Sequence, residues 1–428
     1  MYDVIVIGGG FAGVTAAREA VLRGRSVLLL EARERLGGRT WRDEWHGWPV
    51  EYGGAWVHWH QPHTWSELTR AGLPVEVSGD AEIAGWYVGS ERRSGSIEHR
   101  DEIARRGWDR FVDGVRDALP VPHDPTRALD PLARFDRLTI ADRVGELVLS
   151  DEERDVLTAE LESLAHAPLD QAGAVSVLRW HALSGYSLEL TQFTGGRVTI
   201  VGGTRALLDA IAFGAPFERL LGAFVSAVRS DGDRVEVETR DGTVFAARAV
   251  VVAVPLNALG EVEFSPALPE DKQRAVALGQ ASRGIKIFIH ARGEPQLQNT
   301  IRPGHPFGYL ATDAFDGDGS QLLIGFGIDA RCCDAGDLGA IQRQLEAILP
   351  GYEAVGATAH DWLADEHSRG TWAIHRPGWY EHHHAAMQRV DGLIVLAGSD
   401  IANGWSGFID GAIESGLRAG ARAAALAG

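Results

Sequence analysis

The N-terminal segment constrains the fold most strongly, because it places a short apolar strand, a glycine cluster and a helical pattern in immediate succession. Gly8, Gly10 and Gly13 follow the strand directly, the helical pattern ends near Gly24, and a second apolar strand ends in Glu31. Glycines at this spacing allow a tight turn, a close approach of the backbone to a pyrophosphate, and close packing of helix on strand. An acid about 20 residues later suits a ribose hydroxyl. We therefore predict a βαβ unit that binds a dinucleotide.

Two further glycine-rich runs follow the second strand. They are Glu31-Ala-Arg33-x-Arg35-x-Gly37-Gly38-Arg39 and Gly53-Gly54-Ala55-Trp56. Paired glycines predict a second close approach of the backbone to the ligand, and Arg39 can complement phosphate charge. NAD and FAD both fit the first fingerprint, but the second approach favours the longer ligand, FAD. The alternative is an arginine-rich surface loop with turn glycines.

The C-terminal segment carries a third distinctive run. It is Ala397-Gly398-Ser-Asp400-x-x-x-Gly-Trp405-Ser406-Gly407-Phe408-Ile409-Asp410-Gly411-Ala412. A helix predicted from about Phe408 to Leu426 directs free N–H groups and a partial positive charge out of its start, which suits the edge of a flavin ring that gains negative charge on reduction. Gly411, Ala412 and Gly416 permit close packing. The alternative is an amphipathic terminal helix with an aromatic anchor.

Together these runs resemble the flavin amine oxidase family, which includes monoamine and polyamine oxidases. The resemblance extends over nearly the whole chain and is most specific at its two ends. It implies an FAD cofactor held by the glycine clusters, the ribose acid, an adenine-pairing strand and the C-terminal run. The implied cofactor-binding residues are Gly8, Gly10, Gly13, Glu31, Arg33, Gly38, Arg39, Gly53, Gly54, Ala55, Trp56, Val225, Gly398, Asp400, Trp405, Phe408 and Ile409.

The same resemblance implies three catalytic residues. Lys286 lies in an otherwise apolar strand, where the family has a lysine that hydrogen-bonds a water beside flavin N5; the alternative is an edge-strand lysine that faces solvent. Trp372 and Phe408 would form two aromatic walls past which an amine approaches the flavin, or would simply pack in the core. Thr371 replaces the cysteine that tethers the flavin in membrane-bound monoamine oxidases, so noncovalent FAD is expected.

The expected reaction is oxidation of an amine C–N bond. Hydride passes from the α-carbon to flavin N5, the imine hydrolyses to a carbonyl compound and ammonia or a smaller amine, and O2 reoxidises the flavin to give H2O2. An amino-acid oxidase of the same fold would need an arginine for the substrate carboxylate, and none lies between Trp56 and Arg70. An FAD-dependent desaturase and a non-enzymatic flavin-binding protein remain as further alternatives.

The pattern along the chain predicts an α/β protein. A Rossmann-like FAD-binding domain, formed by 1–75, 195–265 and 388–428, is interleaved with an α+β substrate-binding domain, formed by 76–194 and 266–387, that has a mixed sheet plus helices. The first part of the second domain, to about residue 190, is predicted to be mainly helical.

Composition excludes several partners. A net charge of −18 opposes binding to nucleic acid or anionic lipid. No apolar stretch is long enough to span a membrane and there is no room for a signal peptide before Val4, so we expect a cytoplasmic enzyme that uses a small-molecule amine and O2. The adjacent Cys332 and Cys333 are interpreted as bystander thiols in a reducing compartment. The oligomeric state stays open, with a homodimer among the options.

Histidines cluster at His58, His60 and His63, next to the second glycine pair, and at 382–384, which we interpret as a polar turn. No metal site is expected, because no paired acids or cysteines accompany them. The substrate pocket is expected to draw on the helical insertion. The plausible pocket residues are Trp180, His181, Tyr186 and Phe193.

Overall fold

Two large sheets organise the molecule. The computed structural model describes residues 1–77, 81, 83–193, 198–294, 297–316 and 319–428. One eight-stranded sheet has the order β13-β10-β11-β12-β1-β2-β9, with β19 also paired to β12, and one seven-stranded sheet has the order β18-β14-β17-β16-β15-β6-β7. Two small two-stranded sheets, β3-β4 and β5-β8, lie apart from these.

The eight-stranded sheet is built around parallel strands at its centre. β1 pairs in parallel with β2 and β12, and β12 pairs in parallel with β19, so that both chain ends meet in one sheet. Short apolar runs buried on both faces are typical of such central strands. Its strands are β1 (Tyr2–Ile7), β2 (Val27–Leu30), β9 (Glu218–Leu220), β10 (Val225–Ser230), β11 (Val235–Thr239), β12 (Val244–Val252), β13 (Glu263–Ser265) and β19 (Ile394–Leu396).

The seven-stranded sheet is largely antiparallel. Strand β14 lies between β17 and the edge strand β18, and the parallel pair β6-β15 joins the strands from the first half of the chain to those from the second. Its strands are β6 (Ile83–Val88), β7 (Glu91–Ser96), β14 (Ile285–Arg292), β15 (Leu297–Thr300), β16 (Phe307–Phe315), β17 (Ser320–Gly327) and β18 (Glu353–Ala359). The small sheets contain β3 (Arg42–Trp45) with β4 (Trp48–Glu51), and β5 (Val75–Val77) with β8 (Val198–Ile200).

Helices cover both sheets. Several of those between β7 and β8 share one large hydrophobic core with part of the eight-stranded sheet. The helices are α1 (Phe11–Leu22), α2 (Pro62–Ala71), α3 (Ile97–Phe111), α4 (Val115–Ala118), α5 (Leu129–Asp136), α6 (Ile140–Gly145), α7 (Asp151–Ala165), α8 (Ala174–Leu183), α9 (Leu188–Phe193), α10 (Gly203–Ala212), α11 (Glu270–Leu278), α12 (Leu338–Ile348), α13 (Trp379–His382), α14 (His384–Gln388) and α15 (Ile409–Leu426).

The first and last helices pack against each other closely. A Cβ atom added to Gly416 would lie 2.4 Å from the Ala12 carbonyl oxygen, and one added to Gly420 would lie 2.5 Å from the Ala16 carbonyl oxygen. The prediction of a close-packed terminal helix is therefore confirmed. This contact places the first turn of α1 beside the middle of α15.

The α/β fold class is confirmed, and several details of the predicted elements are not. The segment before residue 190 is mainly helical but also contributes β6 and β7. The edge strand β7 is polar and mostly exposed, which conceals its strand pattern, whereas β6 is a short apolar run that is largely buried. The polar start and the apolar end of Val244–Val252 form one continuous strand, β12, which pairs first with β11 and then with β1 and β19. The predicted domain boundary at 194–195 lies outside the described residues.

Candidate functional site

One large cavity is lined by residues of both large sheets. Its empty space, which includes open solvent at the mouth, is about 2010 Å³. Residues from the N-terminal βαβ unit, the second glycine cluster, β14 and the start of α15 line it together. The lining therefore brings the predicted dinucleotide-binding glycines and the aromatic residues Trp372 and Phe408 to one cavity.

Glycines form the wall of the cavity where the backbone segments approach most closely. A Cβ atom on Gly13 would lie 1.8 Å from the Gly8 carbonyl oxygen, so a side chain there would separate α1 from β1. Gly10 and Gly38 border the cavity, and a Cβ on Gly38 would lie 3.3 Å from the Gly10 Cα. The first N–H groups of α1, from Phe11 onward, begin at this wall, as an anionic pyrophosphate requires.

Gly53 shows the largest steric constraint in the second glycine cluster. A Cβ atom there would lie 1.9 Å from the Arg39 carbonyl oxygen. We expect Gly53→Ala to cost about 3 kcal/mol of stability and to lower the FAD content, because two backbone segments of the wall must separate. Gly145→Ala, at an exposed site with no neighbouring atom within 4 Å, is the matched control and should change stability by less than about 1 kcal/mol. Thermal unfolding measures the stability of each variant, and the flavin-to-protein absorbance ratio measures its flavin content. Equal effects of the two substitutions would contradict the role of Gly53 in the cavity wall.

Glu31 is held in place at the end of β2. Its carboxylate accepts hydrogen bonds from the Gly9 N–H at 2.5 Å and the Arg33 N–H at 2.8 Å, and the residue borders the cavity while nearly buried. This is the position expected for the ribose acid. The carboxylate therefore also ties the glycine turn to the loop that follows β2.

Among the described residues, the arginines that line the cavity are Arg33 and Arg39, and both are paired with carboxylates. Arg33 donates to Asp365 at 2.6 Å and to the Ser368 hydroxyl at 2.9 Å. Arg39 donates to the Thr371 carbonyl oxygen at 2.6 Å and forms an ion pair with Asp400. Burial alone would raise the pKa of the Asp400 carboxyl, but Arg39 holds it below its usual range. Arg39 thus links the N-terminal loop to the C-terminal run.

The start of α15 faces the cavity. Phe408 precedes the first turn, and Phe408, Ile409 and Ala412 border the cavity. Trp405 lies behind this wall, fully buried, with its ring centroid 5.2 Å from that of Phe408 and its indole N–H donated to the His60 carbonyl oxygen at 3.2 Å. The predicted helix start is confirmed, and the free N–H groups of α15 are available to a ligand in the cavity.

Lys286 lies in the wall of the cavity and is nearly buried, on a strand flanked by neighbours on both sides. Its ammonium group donates to the carbonyl oxygens of Glu51 at 3.0 Å and Gly53 at 2.6 Å, and lies 4.5 Å from the ring centroid of Trp56. The solvent-facing alternative is therefore wrong. Burial lowers the pKa of Lys286 to about 8, although Glu51 acts in the opposite direction.

Trp372 and Phe408 both border the cavity, on segments that touch. A Cβ atom on Gly407 would lie 3.6 Å from the Trp372 Cβ. Trp372 donates its indole N–H to the Leu164 carbonyl oxygen at 3.0 Å, and Phe408 contacts Trp180 edge to face at 5.3 Å. Each ring is therefore fixed by a neighbour from the helical segment before β8.

His166 is the main cavity residue that sequence reasoning missed. It ends α7 in the left-handed conformation, with φ 49° and ψ 33°, and its ring lies 4.0 Å from the Trp372 ring. It is fully buried, and both ring nitrogens are without a hydrogen-bond partner among the described residues, at a cost of about 1–3 kcal/mol for each unsatisfied group. Burial, reinforced by Lys286, lowers the pKa of His166 to about 3. No local sequence pattern predicts His166 as a cavity residue, because the residues around its ring come from distant segments of the chain.

Most predicted cofactor residues meet at the cavity, and three lie behind its wall. Gly13 packs α1 on β1, Asp400 pairs with Arg39, and Trp405 supports Phe408. Residues at the cavity are Gly8, Gly10, Glu31, Arg33, Gly38, Arg39, Gly53, Gly54, Ala55, Trp56, Val225, Gly398, Phe408 and Ile409.

Only some of the pocket residues predicted from the helical insertion lie at the cavity. Trp180 borders the cavity, whereas His181 and Tyr186 do not; Tyr186 donates its hydroxyl to the Leu119 carbonyl oxygen. The side chain of Phe193 lies outside the described part of the chain.

The residues of the two histidine clusters make contacts elsewhere in the protein and not at the cavity. His58, His60 and His63 are not among the cavity-lining residues, and His63 pairs with Asp410 at 3.1 Å. The polar turn predicted at 382–384 is wrong for His384, which begins α14 fully buried and contacts the Asn403 side chain, because the apolar Trp379 and Tyr380 draw the segment inward. Within the described ranges, no group of three or more His, Cys, Asp or Glu side chains is arranged to hold a metal ion.

The dinucleotide cradle and the aromatic, lysine-bearing end of the same cavity define a flavin-dependent oxidoreductase. The chain belongs to the family of flavin-containing amine oxidoreductases, whose sequence profile matches residues 11–424. FAD is therefore its cofactor, and the glycine cradle, the two helix starts and Glu31 fit such a group.

Curated relatives support the assignment. The chain is 37% identical to the pseudooxynicotine dehydrogenase of Pseudomonas sp over 98% of its own length and 85% of the relative's. It is 34% identical to the nicotine dehydrogenase of Pseudomonas putida over 98% and 87%. It is 32% identical to the (S)-6-hydroxynicotine oxidase of Paenarthrobacter nicotinovorans over 97% of both.

Solved structures share the fold. Wild-type putrescine oxidase bound to putrescine superposes with a TM-score of 0.83 at 23% identity, over 98% of both chains. Cyclohexylamine oxidase from Brevibacterium oxydans superposes with a TM-score of 0.81 at 22% identity, over 99% of both chains. Among the described helices, none is both long and apolar enough to cross a membrane.

Proposed function

We propose that this enzyme oxidises the C–N bond of a small amine that carries an aromatic or other ring-containing body, with O2 as acceptor. The observation that carries the proposal is that one cavity joins the dinucleotide cradle to Lys286, Trp372 and Phe408. FAD, when bound, takes up hydride from the amine's α-carbon and passes the electrons on to O2. The imine product hydrolyses to a carbonyl compound and ammonia or a smaller amine.

The protein's share of this reaction is binding and orientation. The faces of Trp372 and Phe408 guide the amine, and further aromatic rings, Trp56, Trp180 and Phe326, surround the same end of the cavity. Apolar rings exclude water and favour a neutral amine over its ammonium form. Lys286 holds a positive charge at the cavity wall, where charge develops on oxygen during its reduction.

We further propose that the predicted cofactor-binding residues hold the FAD, with the eight-stranded sheet as the core of an FAD-binding domain and the seven-stranded sheet as the core of a substrate-binding domain. The adenine end would lie at Val225 and the ring end at Phe408 and Ile409. Gly13, Asp400 and Trp405 would act from behind the wall by holding the segments that touch the cofactor.

An amino-acid substrate is disfavoured by the cavity's cations. Recognition of a carboxylate calls for a free, forked guanidinium. The lining arginines Arg33 and Arg39 are already engaged by Asp365 and Asp400. The names of the three relatives above, all for nicotine or a related compound, instead favour an amine that bears an aromatic heterocycle.

The decisive experiment follows flavin bleaching without oxygen. The purified yellow protein is mixed anaerobically with a panel of aryl-alkylamines, aliphatic amines and amino acids, and the flavin absorbance is recorded over time. We expect aryl-alkylamines to bleach the flavin fastest. Bleaching by amino acids but not by amines would overturn the proposal.

We expect the FAD to be bound noncovalently. Thr371 occupies the position of the tethering cysteine, and its hydroxyl is hydrogen-bonded to Ser282 at 2.8 Å. Neither Cys332 nor Cys333 borders the cavity. Acid precipitation should therefore release the yellow colour into the supernatant, and a yellow pellet would disprove the prediction.

A dehydrogenase with an acceptor other than O2 is the second candidate, because two of the three relatives carry that name. The two functions differ in one measurable rate. After anaerobic reduction by an amine, an oxidase is reoxidised rapidly by air-saturated buffer, whereas a dehydrogenase is reoxidised rapidly only by an added electron acceptor such as a quinone or a redox protein.

A further inference from the structure

His166 is a polar residue in a part of the cavity wall that is mainly aromatic and aliphatic and that also contains Lys286. Its ring lies between Trp372, with centroids 4.0 Å apart, and Phe326, with centroids 5.4 Å apart. Leu164, two residues earlier, borders the same region. The imidazole is the polar side chain at this aromatic end that has neither nitrogen paired within the described residues.

The chain holds this ring in position. The His166 carbonyl oxygen accepts hydrogen bonds from the N–H groups of Arg283 at 2.7 Å and Gly284 at 2.9 Å. A Cβ atom on Gly284 would lie 2.5 Å from the His166 Cγ, so glycine is needed there to make room for the ring. The left-handed backbone of His166 is a further strain, since non-glycine residues adopt it rarely.

Strain and unsatisfied polar atoms at one cavity residue point to a ligand contact. Because burial and Lys286 lower the pKa of His166 to about 3, the imidazole is neutral at ordinary pH and offers one donor and one acceptor. Its natural partner is therefore an uncharged group that donates or accepts a hydrogen bond. We propose that His166 binds such a group on the body of the substrate, a ring nitrogen, hydroxyl or carbonyl, and thereby selects among amines.

The charges around the cavity argue against a second ammonium group as the partner. Each carboxylate that lines the cavity in the described part of the chain is engaged: Glu31 by backbone N–H groups, Glu261 by Arg369 and Glu366 by Arg240. Asp313 affects the pKa of Lys286 but is not among the cavity-lining residues. Lys286 itself would repel a dication. This inference rests on the proposed amine oxidation and goes on to specify the substrate's second polar group.

The test compares matched amines in three proteins. N-Methylbenzylamine is the parent compound; its three pyridyl isomers and three ring-hydroxylated isomers each add one hydrogen-bonding group. Dissociation constants come from the flavin spectral change on anaerobic mixing, and reduction rates from the bleaching that follows. Wild type, His166→Phe and His166→Asn are compared, since phenylalanine keeps the stacking on Trp372 and asparagine keeps a donor and an acceptor and tolerates the left-handed backbone.

We expect wild type to bind at least one substituted amine about 10-fold more tightly than the parent, an advantage that His166→Phe abolishes and His166→Asn restores at least in part. For the parent compound, the dissociation constants of wild type and variant should agree within about threefold, because the parent has no ring substituent that can form a hydrogen bond with His166. Equal losses for all seven amines would overturn the proposal and leave His166 a packing partner of Trp372. A lower FAD content or altered resting spectrum in His166→Phe, without a change in selectivity, would assign it to the cofactor instead.

The experiment distinguishes a failure of the proposed amine oxidation from a failure of the assignment of His166. If the amines bind with a preference that depends on His166 but none bleaches the flavin, the proposed oxidation fails and the assignment of His166 stands. If they bleach the flavin with no such preference, the oxidation stands and the assignment of His166 is wrong.

Discussion

Replacing Lys286 with methionine is expected to slow reoxidation by O2 about 100-fold while changing the rate of reduction by amine by less than about threefold. The ammonium group sits in the cavity wall between two backbone carbonyl groups and the face of Trp56. Methionine has a similar length and no charge. The substitution therefore removes the positive charge that stabilises negative charge on oxygen, and leaves the aromatic walls that orient the amine. Stopped-flow absorbance separates the two half-reactions.

The pH dependence gives an independent test. Burial lowers the pKa of Lys286 to about 8, so the ammonium form predominates below that pH and is lost above it. The oxygen reaction of the wild type should slow as pH rises through about 8, and that of Lys286→Met should lack this inflection. The test is the presence of the inflection in the wild type and its absence in the variant.

Lys272→Met is the matched control. Lys272 is also buried, but it donates to the Arg389 carbonyl oxygen and pairs with Asp391, and it does not border the cavity. We expect this variant to be less stable and to keep both half-reaction rates. If Lys286→Met slows reduction and reoxidation equally, the lysine has a structural role and not one in the oxygen reaction.

Replacing Asp400 with alanine should cost about 3 kcal/mol of stability, because it leaves the Arg39 guanidinium without its counter-ion inside the protein. It also removes the acceptor for the Leu256 N–H, at 2.9 Å. Both losses loosen the loops that border the FAD cradle, so the purified variant should retain less flavin. Thermal unfolding of the holoprotein and the flavin absorbance ratio measure the two effects.

Acid should weaken the same ion pair in the wild type. Because the pKa of the Asp400 carboxyl lies below its usual range in the folded protein, the pair stabilises the fold above the ordinary aspartate pKa and is lost as pH falls through the lowered value. Asp400→Ala should show less of this acid sensitivity. Glu238→Ala, which breaks the surface pair with Arg229, serves as the control and should leave stability and flavin content nearly unchanged. Comparable losses in the two variants would contradict the importance assigned to the buried pair.

The sequence by itself determined the features that arise from local geometry. The strand, glycine turn and helix at Gly8–Gly13 and the start of α15 near Phe408 could be predicted because each depends on residues a few positions apart. The same is true of the need for glycine at a close backbone approach. The edge strand β7 escaped prediction because its polar, mostly exposed side chains show no apolar alternation. Its neighbour β6 is a short, largely buried apolar run, which periodicity alone does not distinguish from a buried helix segment.

The family resemblance of the sequence already grouped many of the cavity residues, but only the tertiary structure decided what each side chain contacts. Lys286 finds its carbonyl partners at Glu51 and Gly53, which are 235 and 233 residues away along the chain, and Arg39 finds Asp400 at a separation of 361 residues. His166 becomes a cavity residue only because Trp372 and Gly284 meet it from two other segments. Such contacts depend on how the two sheets and their helices pack together, and no short-range pattern of residue types records that packing.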